Sequence, residues 1–182
     1  MVAVDVSPTM VDFAKAADPS MQVMVVDAAR LPFDDSAADL AIAFMSLQDV
    51  DDMPMAIQEA GRVLERGGTF CLSVVHPINS AGRFEGPDPA ARFVIDTSYL
   101  EPHRYQDSIE REGLRMTFNS RHWPLEAYFR ALRDSGFVVE ALTEPTVDEA
   151  SVAERADRAR WRRLPLFLDR EPANVRLRAR QR

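Results

Sequence analysis

Short apolar runs alternate with helical patterns through the first 76 residues. Four runs are almost continuously apolar: Val2 to Val4, Met21 to Val26, Leu40 to Phe44 and Thr69 to Val75. Continuous apolar runs of this length are typical of strands that are buried on both faces. Strands that alternate with helices form a parallel sheet with helices on both sides, so the pattern predicts an α/β fold.

Two helices are predicted between these strands. Ser7 is a candidate N-cap, followed by a proline in the first turn, for a helix that runs to about Ala17. The second helix is expected to begin at Asp51 or Asp52, because apolar residues then recur on one face at helical spacing. The pair Gly67-Gly68 is expected to end this helix.

The pattern changes after His76. Residues 77–122 hold much of the proline and glycine, together with the runs Phe93 to Ile95 and Ile109 to Phe118. Gly113 interrupts the second run in the manner of a hairpin. We therefore expect an inserted cap.

Residues 123–168 return to the first pattern. Pro124 to Ser135 has helical spacing, Gly136 is expected to stop it, and Phe137 to Leu142 reads as a strand. Leu164 to Leu168 is the candidate last strand, near a strand start or an edge because it contains a proline.

Composition limits the class of protein. The chain has 182 residues, 46% of them apolar and 28% charged, which suffices for one hydrophobic core. No stretch approaches the roughly 20 apolar residues of a membrane span, and no signal peptide is visible, so we expect a cytoplasmic protein without membrane contact. Cys71 lies in an apolar run and is expected to be a buried, inert thiol.

Charge is distributed unevenly. Residues 155–182 carry ten arginines and three acidic residues, while the whole chain has a net charge of −7. A basic end can bind nucleic acid, but this one has no aromatic flanked by arginines beyond Trp161, and a solvated arginine-rich end is commoner. We therefore expect no nucleic-acid partner.

Two aspartates follow predicted strands, where open α/β sheets bind their ligands. Asp5 ends the first strand, and its carboxylate could accept hydrogen bonds from both hydroxyls of a ribose. Asp27 ends the second strand and could accept a hydrogen bond from the amine of an adenine. Each could instead be a structural residue, Asp5 starting the next helix and Asp27 shaping a loop.

The ordered set of motifs resembles a class I S-adenosylmethionine-dependent methyltransferase, of the methyltransferase type 11-like kind. The motifs are Val2–Met10, Val25–Phe33, Asp39–Phe44 and Arg62–Phe70. The resemblance spans residues 2 to about 76 and resumes at 122–145. It implies a Rossmann-like, mostly parallel sheet with helices on both faces and S-adenosyl-L-methionine as cofactor.

The resemblance also implies that residues 1–182 form one methyltransferase-like domain made of four parts. Residues 1–76 form the cofactor-binding part, 77–122 the substrate cap, 123–168 the C-terminal helix and strands, and 169–182 a basic tail. It implies that Asp5 holds the ribose, that Met10 packs on the adenine and that Asp27 reads the adenine edge. The full set of implied cofactor contacts is Asp5, Val6, Met10, Asp27, Ala28, Phe44 and Met45.

One part of the family pattern is missing. The family has a strand and a glycine-rich loop before the position of Asp5, and that strand would lie between residues 2–5 and 39–44. Three explanations are open: the true start lies upstream, the two strands close up directly, or another chain supplies the strand. We favour the first, a truncated N-terminus.

Methyl transfer from a sulfonium needs mostly alignment and exclusion of water. His76 and His122 flank the cap and are the candidate general bases, although either could simply make a loop hydrogen bond. Ser46 and Gln48 could orient the acceptor. Tyr99, Phe118 and Trp123 could line it, or could be plain core. We predict no metal site.

The leading hypothesis is methyl transfer to a small-molecule acceptor chosen by the cap. One alternative is a truncated or non-catalytic methyltransferase-like protein that binds a ligand or partner, and another is a nucleic-acid-associated domain that uses the basic tail. An exposed strand edge would also favour a homo-oligomer.

Overall fold

Strands and helices alternate along the chain before an inserted set of hairpins. The computed structural model describes residues 1–111, 114–144, 146 and 177–181. The elements are β1 (Val2–Asp5), α1 (Pro8–Ala17), β2 (Gln22–Val25), β3 (Ala38–Phe44), α2 (Met53–Val63), β4 (Leu64–Ser73), α3 (Pro77–Ser80), β5 (Gly82–Phe84), β6 (Phe93–Ile95), β7 (His103–Arg111), β8 (Leu114–His122), α4 (Leu125–Asp134), β9 (Phe137–Ala141) and β10 (Leu177–Gln181).

The strands of the α/β part form two sheets. β1 pairs with β2 in parallel, with Asp5 opposite Val25. The second sheet has the order β3-β4-β10-β9, in which β3 and β4 are parallel and β10 is antiparallel to both of its neighbours. The predicted α/β fold is confirmed, and the parallel pairs are β1–β2 and β3–β4.

A gap separates the two sheets. Among the described residues β1 pairs only with β2 and β3 only with β4. Direct closure of β1 onto β3, one of the three explanations for the missing strand, is therefore wrong. Three apolar side chains of β3 are exposed on one face: Leu40 at 49%, Ile42 at 66% and Phe44 at 57%.

The core lies between α2, α4 and β4. Met53, Ile57 and Leu132 have no exposed surface and pack in one cluster with Phe70. The predicted helix starts are confirmed, because the side chains of Ser7 and Asp52 cap α1 and α2.

The predicted end of α2 is wrong. The helix stops at Val63, and β4 begins at Leu64, which pairs with Ala38 of β3. The strand register shifts after Ala38, and Gly67, with a φ of 83°, lies within this irregular stretch. The glycine pair therefore bends a strand and does not cap a helix.

The cap contains two hairpins. β5 pairs with β6, and β7 pairs with β8 over a longer stretch than Ile109 to Phe118. Residues 112–113, where Gly113 was expected to interrupt the run, lie outside the described residues, as does the predicted strand Leu164 to Leu168. The helix α4 and the strand β9 are confirmed, with Gly136 at a φ of 84° between them.

The predicted basic tail contains a strand, because residues 177–181 form β10 and pair with both β4 and β9. One expectation needs correction: Cys71 is half-buried and not fully enclosed.

Candidate functional site

Two carboxylates stand at the carboxyl ends of the neighbouring parallel strands β1 and β2. Asp5 Oδ1 accepts a hydrogen bond from the amide of Ser7 at 2.8 Å, and Asp27 Oδ1 accepts one from Ala29 at 2.9 Å. Both side chains remain exposed. Each aspartate therefore shapes its turn, as the structural alternative expected, and still offers acceptor atoms to a ligand.

The predicted apolar contacts of the cofactor lie around the same edge. Val6 is 70% exposed and Met10 is 50% exposed, whereas Ala28 packs partly against the core cluster. Phe44 ends β3 and belongs to the exposed apolar face of that strand. These side chains are available to a bound molecule, but β1 and β3 belong to different sheets.

Met45 has an unusual backbone conformation at the end of β3. Its φ is 53°, in the left-handed region that residues other than glycine seldom adopt. Its amide donates to the carbonyl of Ser73 at 2.9 Å, and its carbonyl accepts from Gln48 Nε2 at 2.7 Å. Backbone outliers held by such contacts are concentrated at functional sites.

The loop that carries Asp27 is held against α2 by one guanidinium. Arg62 donates to the carbonyls of Leu31 at 3.0 Å and Phe33 at 2.7 Å. Glu59, which pairs with Arg62 at 2.8 Å, also accepts from the amide of Leu31. We call this group of contacts, Arg62 and Glu59 with residues 31–35, the loop clamp.

His76 uses both ring nitrogens. It is the N-cap of α3, where Nδ1 accepts from the amide of Ile78 at 3.2 Å. Nε2 therefore carries the proton and donates to Glu144 at 2.8 Å. The side chain is buried, so these contacts leave no lone pair directed at a ligand.

His122 lies at the other end of α3 and is also fully engaged. Nε2 donates to the carbonyl of Tyr99 at 2.7 Å, and Nδ1 accepts from the Ser80 hydroxyl at 2.7 Å. Its ring stacks on His103 with 4.7 Å between centroids. Burial lowers the pKa of His122, and the charge of His103 lowers it further.

The predicted acceptor-binding residues do not converge on one point. Ser46 is exposed, and Gln48 is buried. The Tyr99 hydroxyl accepts from the amide of Leu125 at 3.4 Å, which ties it to α4. Trp123 lies 5.4 Å from the guanidinium carbon of Arg121, and Phe118 is 38% exposed.

Sequence reasoning missed a cavity between the segment after β3 and the β7–β8 hairpin. Its volume is about 240 Å³, and its walls include Gln48, Asp49, Tyr105 and Ser120. The Ser120 hydroxyl donates to Asp49 Oδ1 across 71 positions of sequence. Burial raises the pKa of Asp49 and also that of Tyr105. No local pattern signals these residues, because the hairpin register creates the cavity.

Metal ligation and membrane insertion find no support in the described part of the chain. Its histidine, cysteine and acidic side chains form no group of three or more that could hold a metal ion. None of the described helices is long and apolar enough to cross a membrane.

Residues 1–72 match a family model described as "Methyltransferase domain". Among curated proteins, the biotin biosynthesis bifunctional protein BioHC of Cellvibrio japonicus is 24% identical over 94% of this chain and 34% of its own length. The ubiquinone/menaquinone biosynthesis C-methyltransferase UbiE of Caulobacter is 38% identical over 37% of this chain and 27% of its own length. The chain thus spans about a third of the length of these relatives.

Solved structures agree with the fold. An S-adenosylmethionine-dependent methyltransferase from Mesorhizobium loti superposes with a TM-score of 0.76, 24% identity and coverage of 99% of this chain and 79% of its own. A similar protein from Listeria monocytogenes gives a TM-score of 0.68 and 16% identity, with coverage of 100% and 79%. The likeness confirms the Rossmann-like fold, and the family match agrees with the resemblance drawn from the motifs within residues 1–72.

Proposed function

We propose that the chain transfers a methyl group to a small-molecule acceptor, a proposal supported by the match of residues 1–72 to a family model described as "Methyltransferase domain". The cofactor implied is S-adenosyl-L-methionine, which supplies an electrophilic methyl group when bound. The observation that carries the proposal is the pair of exposed carboxylates at the adjacent carboxyl ends of β1 and β2, Asp5 and Asp27.

The chemistry of these two residues fits the adenosine half of the cofactor. Asp5 would accept hydrogen bonds from the ribose hydroxyls, and Asp27 would accept one from the adenine amine. Met10 and Val6 are exposed beside Asp5 and would cover the base. Ala28 follows Asp27 on the loop that the loop clamp holds against α2.

Two residues are proposed for the methionine half of the cofactor. Phe44 and Met45 would line it, since they lie at the end of β3 and the Met45 turn is fixed by Ser73 and Gln48.

We assign positioning roles to His76 and His122. A general base must present a lone pair to the acceptor. The contacts of both rings, with Ile78 and Glu144 for His76 and with Ser80 and Tyr99 for His122, occupy all four nitrogens. The two histidines then fix α3, which connects β4 to the cap.

Calorimetric titration of S-adenosylmethionine into the chain is the first test. We expect saturable binding that Asp5→Asn and Asp27→Asn each weaken by roughly tenfold or more, because hydrogen bonds to a charged acceptor contribute about 1.5–3 kcal/mol. The matched control is Asp12→Asn, which removes the same charge from the exposed face of α1.

Three outcomes separate the hypotheses. Binding that is lost in both site variants and kept in the control supports the adenosine assignment, and formation of S-adenosylhomocysteine with a small acceptor then supports the enzyme. Equal binding by all variants contradicts the assignment of Asp5 and Asp27. A folded chain that does not bind would favour the alternative of a truncated or non-catalytic methyltransferase-like binding protein.

A further inference from the structure

The cavity beside Asp49 has the features of a binding site for a positively charged group. It measures about 240 Å³ and lies between the segment that follows β3 and both strands of the β7–β8 hairpin. The amide of Arg121 donates to the carbonyl of Gln48 at 2.7 Å, so the backbone holds the two walls together. The cavity therefore lies at the cap junction, where the cap of residues 77–122 meets the segment after β3, and a backbone hydrogen bond holds its walls together.

The carboxylate of Asp49, which lines the cavity, has no counter-ion among the described residues. Asp49 accepts hydrogen bonds only from neutral groups, the Ser120 hydroxyl and the Gln48 amide, and forms no ion pair among the described residues. Two arginines also line the cavity: Arg104 pairs with Asp51 at 2.7 Å, whereas Arg121 lies 5.4 Å from the Trp123 ring and its Nε has no hydrogen-bond partner. A cationic ligand would supply the missing partner.

A second acceptor lies in the same wall. Gln48 is only 6% exposed, and its Oε1 has no hydrogen-bond partner, while its Nε2 donates to Met45 and Asp49. A buried carbonyl oxygen without a donor costs about 1–3 kcal/mol. An ammonium group that enters beside Asp49 carries several N–H donors and can satisfy both residues after a small adjustment.

The cavity adjoins the site proposed above. Gln48 Nε2 donates to the carbonyl of Met45 at 2.7 Å, and Met45 is the residue proposed to line the methionine end of the cofactor. A ligand held at Asp49 would therefore lie next to that end of the site.

We propose that this cavity recognises the ammonium group of a small amine substrate, with Asp49 as its counter-ion. The inference rests on the proposed methyltransferase function and names the class of its acceptor. The step is one of recognition: the nitrogen keeps its proton, and Ser120 holds the carboxylate in place. Partial desolvation raises the pKa of Asp49, although its side chain still reaches solvent.

The test uses benzylamine as the probe, with benzyl alcohol as its neutral analogue and benzoate as the anion. We expect benzylamine to bind the full chain saturably, and the other two to bind about tenfold more weakly or not at all, because a charged hydrogen bond adds about 1.5–3 kcal/mol. Asp49→Asn should weaken benzylamine by roughly the same factor. Asp107→Asn, on the same hairpin but outside the cavity, is the control.

The wild-type protein gives an independent readout if the Asp49 variant does not fold. Benzylamine affinity should fall as sodium chloride is added, since an ion pair that reaches solvent is screened. Affinity that is independent of salt, or equal in Asp49→Asn and wild type, overturns the proposal. Tighter binding of benzoate also overturns it and would favour Arg121, whose Nε lacks a partner.

Failure of this inference is distinguishable from failure of the proposed function. If the chain binds S-adenosylmethionine and methylates acceptors without amines while benzylamine does not bind, only the inference is overturned. If benzylamine binds and S-adenosylmethionine does not, the amine site stands and the methyltransferase assignment is overturned.

Discussion

His122 couples protonation to the stability of the cap junction. Its pKa is lowered in the folded protein by burial and by His103, whereas an imidazole in the unfolded chain titrates near about pH 6.5. The folded state therefore binds fewer protons, and the stabilisation is fully present above that pH and lost as pH falls through the folded pKa. We expect the free energy of unfolding to decrease on acidification, as measured by urea denaturation from about pH 7.5 to about pH 5.5.

The variant His122→Gln isolates this contribution. Asp49, whose pKa is raised by burial, acts in the opposite direction, because the folded state binds its proton more readily. The decisive quantity is thus the difference in pH dependence between His122→Gln and wild type. Equal losses of stability in the two proteins would contradict the assignment to His122.

Single residues differ in how far their roles could be predicted from sequence. Asp5 and Asp27 were identifiable because strand ends follow from local apolar runs, and the structure places both at one edge. Asp49 and Ser120 were not, since they meet only through a pairing across 71 positions. The histidines were identified by type, but their ring contacts depend on α3, whose four residues carry no periodic signal.

At the scale of elements, the packing of α2 against α4 and β4 holds the core together. Ile57 on α2 has no exposed surface, and it belongs to the same cluster as Leu132 of α4. We expect Ile57→Ala to lower the free energy of unfolding by about 2–5 kcal/mol, through lost burial and the cavity left behind. The side chain of Met55, on the same helix, is 40% exposed, so Met55→Ala should change the free energy of unfolding by about 0.5 kcal/mol or less. Similar losses in the two variants would mean that α2 packs differently in solution.

Local sequence patterns fail to predict the boundaries of elements that depend on pairing with distant strands. Helical spacing predicted that α2 starts at Asp51 or Asp52, and Asp52 caps it through a contact made within three residues. Its end was mispredicted, since the parallel pairing of Leu64 with Ala38 competes with the helix. β10 was missed for the same reason, because its partners β4 and β9 lie far away along the chain.

At the scale of the whole molecule, β3 has one edge without a partner strand among the described residues and exposes Leu40, Ile42 and Phe44 on one face. Unpaired strand edges that carry apolar side chains favour association with further copies. We expect the protein to self-associate as its concentration rises and Ile42→Lys, on the face where Ile42 is 66% exposed, to shift it towards monomer. Sedimentation velocity measures this, with circular dichroism to verify the fold. A wild-type protein that stays monomeric at every accessible concentration would contradict the prediction.

The loop clamp has a consequence for cooperativity. Neither β1 nor β2 pairs with a strand of the second sheet. The contacts of Arg62 and Glu59 with residues 31–35 tie the loop that follows β2 to α2. This strand-helix-strand segment can then open as a unit of its own, ahead of global unfolding. In hydrogen–deuterium exchange its amides should lose protection before those of β4. Part of the binding free energy of a nucleoside that ordered this segment would be used to fold it. Changes that stabilise the segment should therefore raise both the affinity for the nucleoside and the protection of the segment's amides.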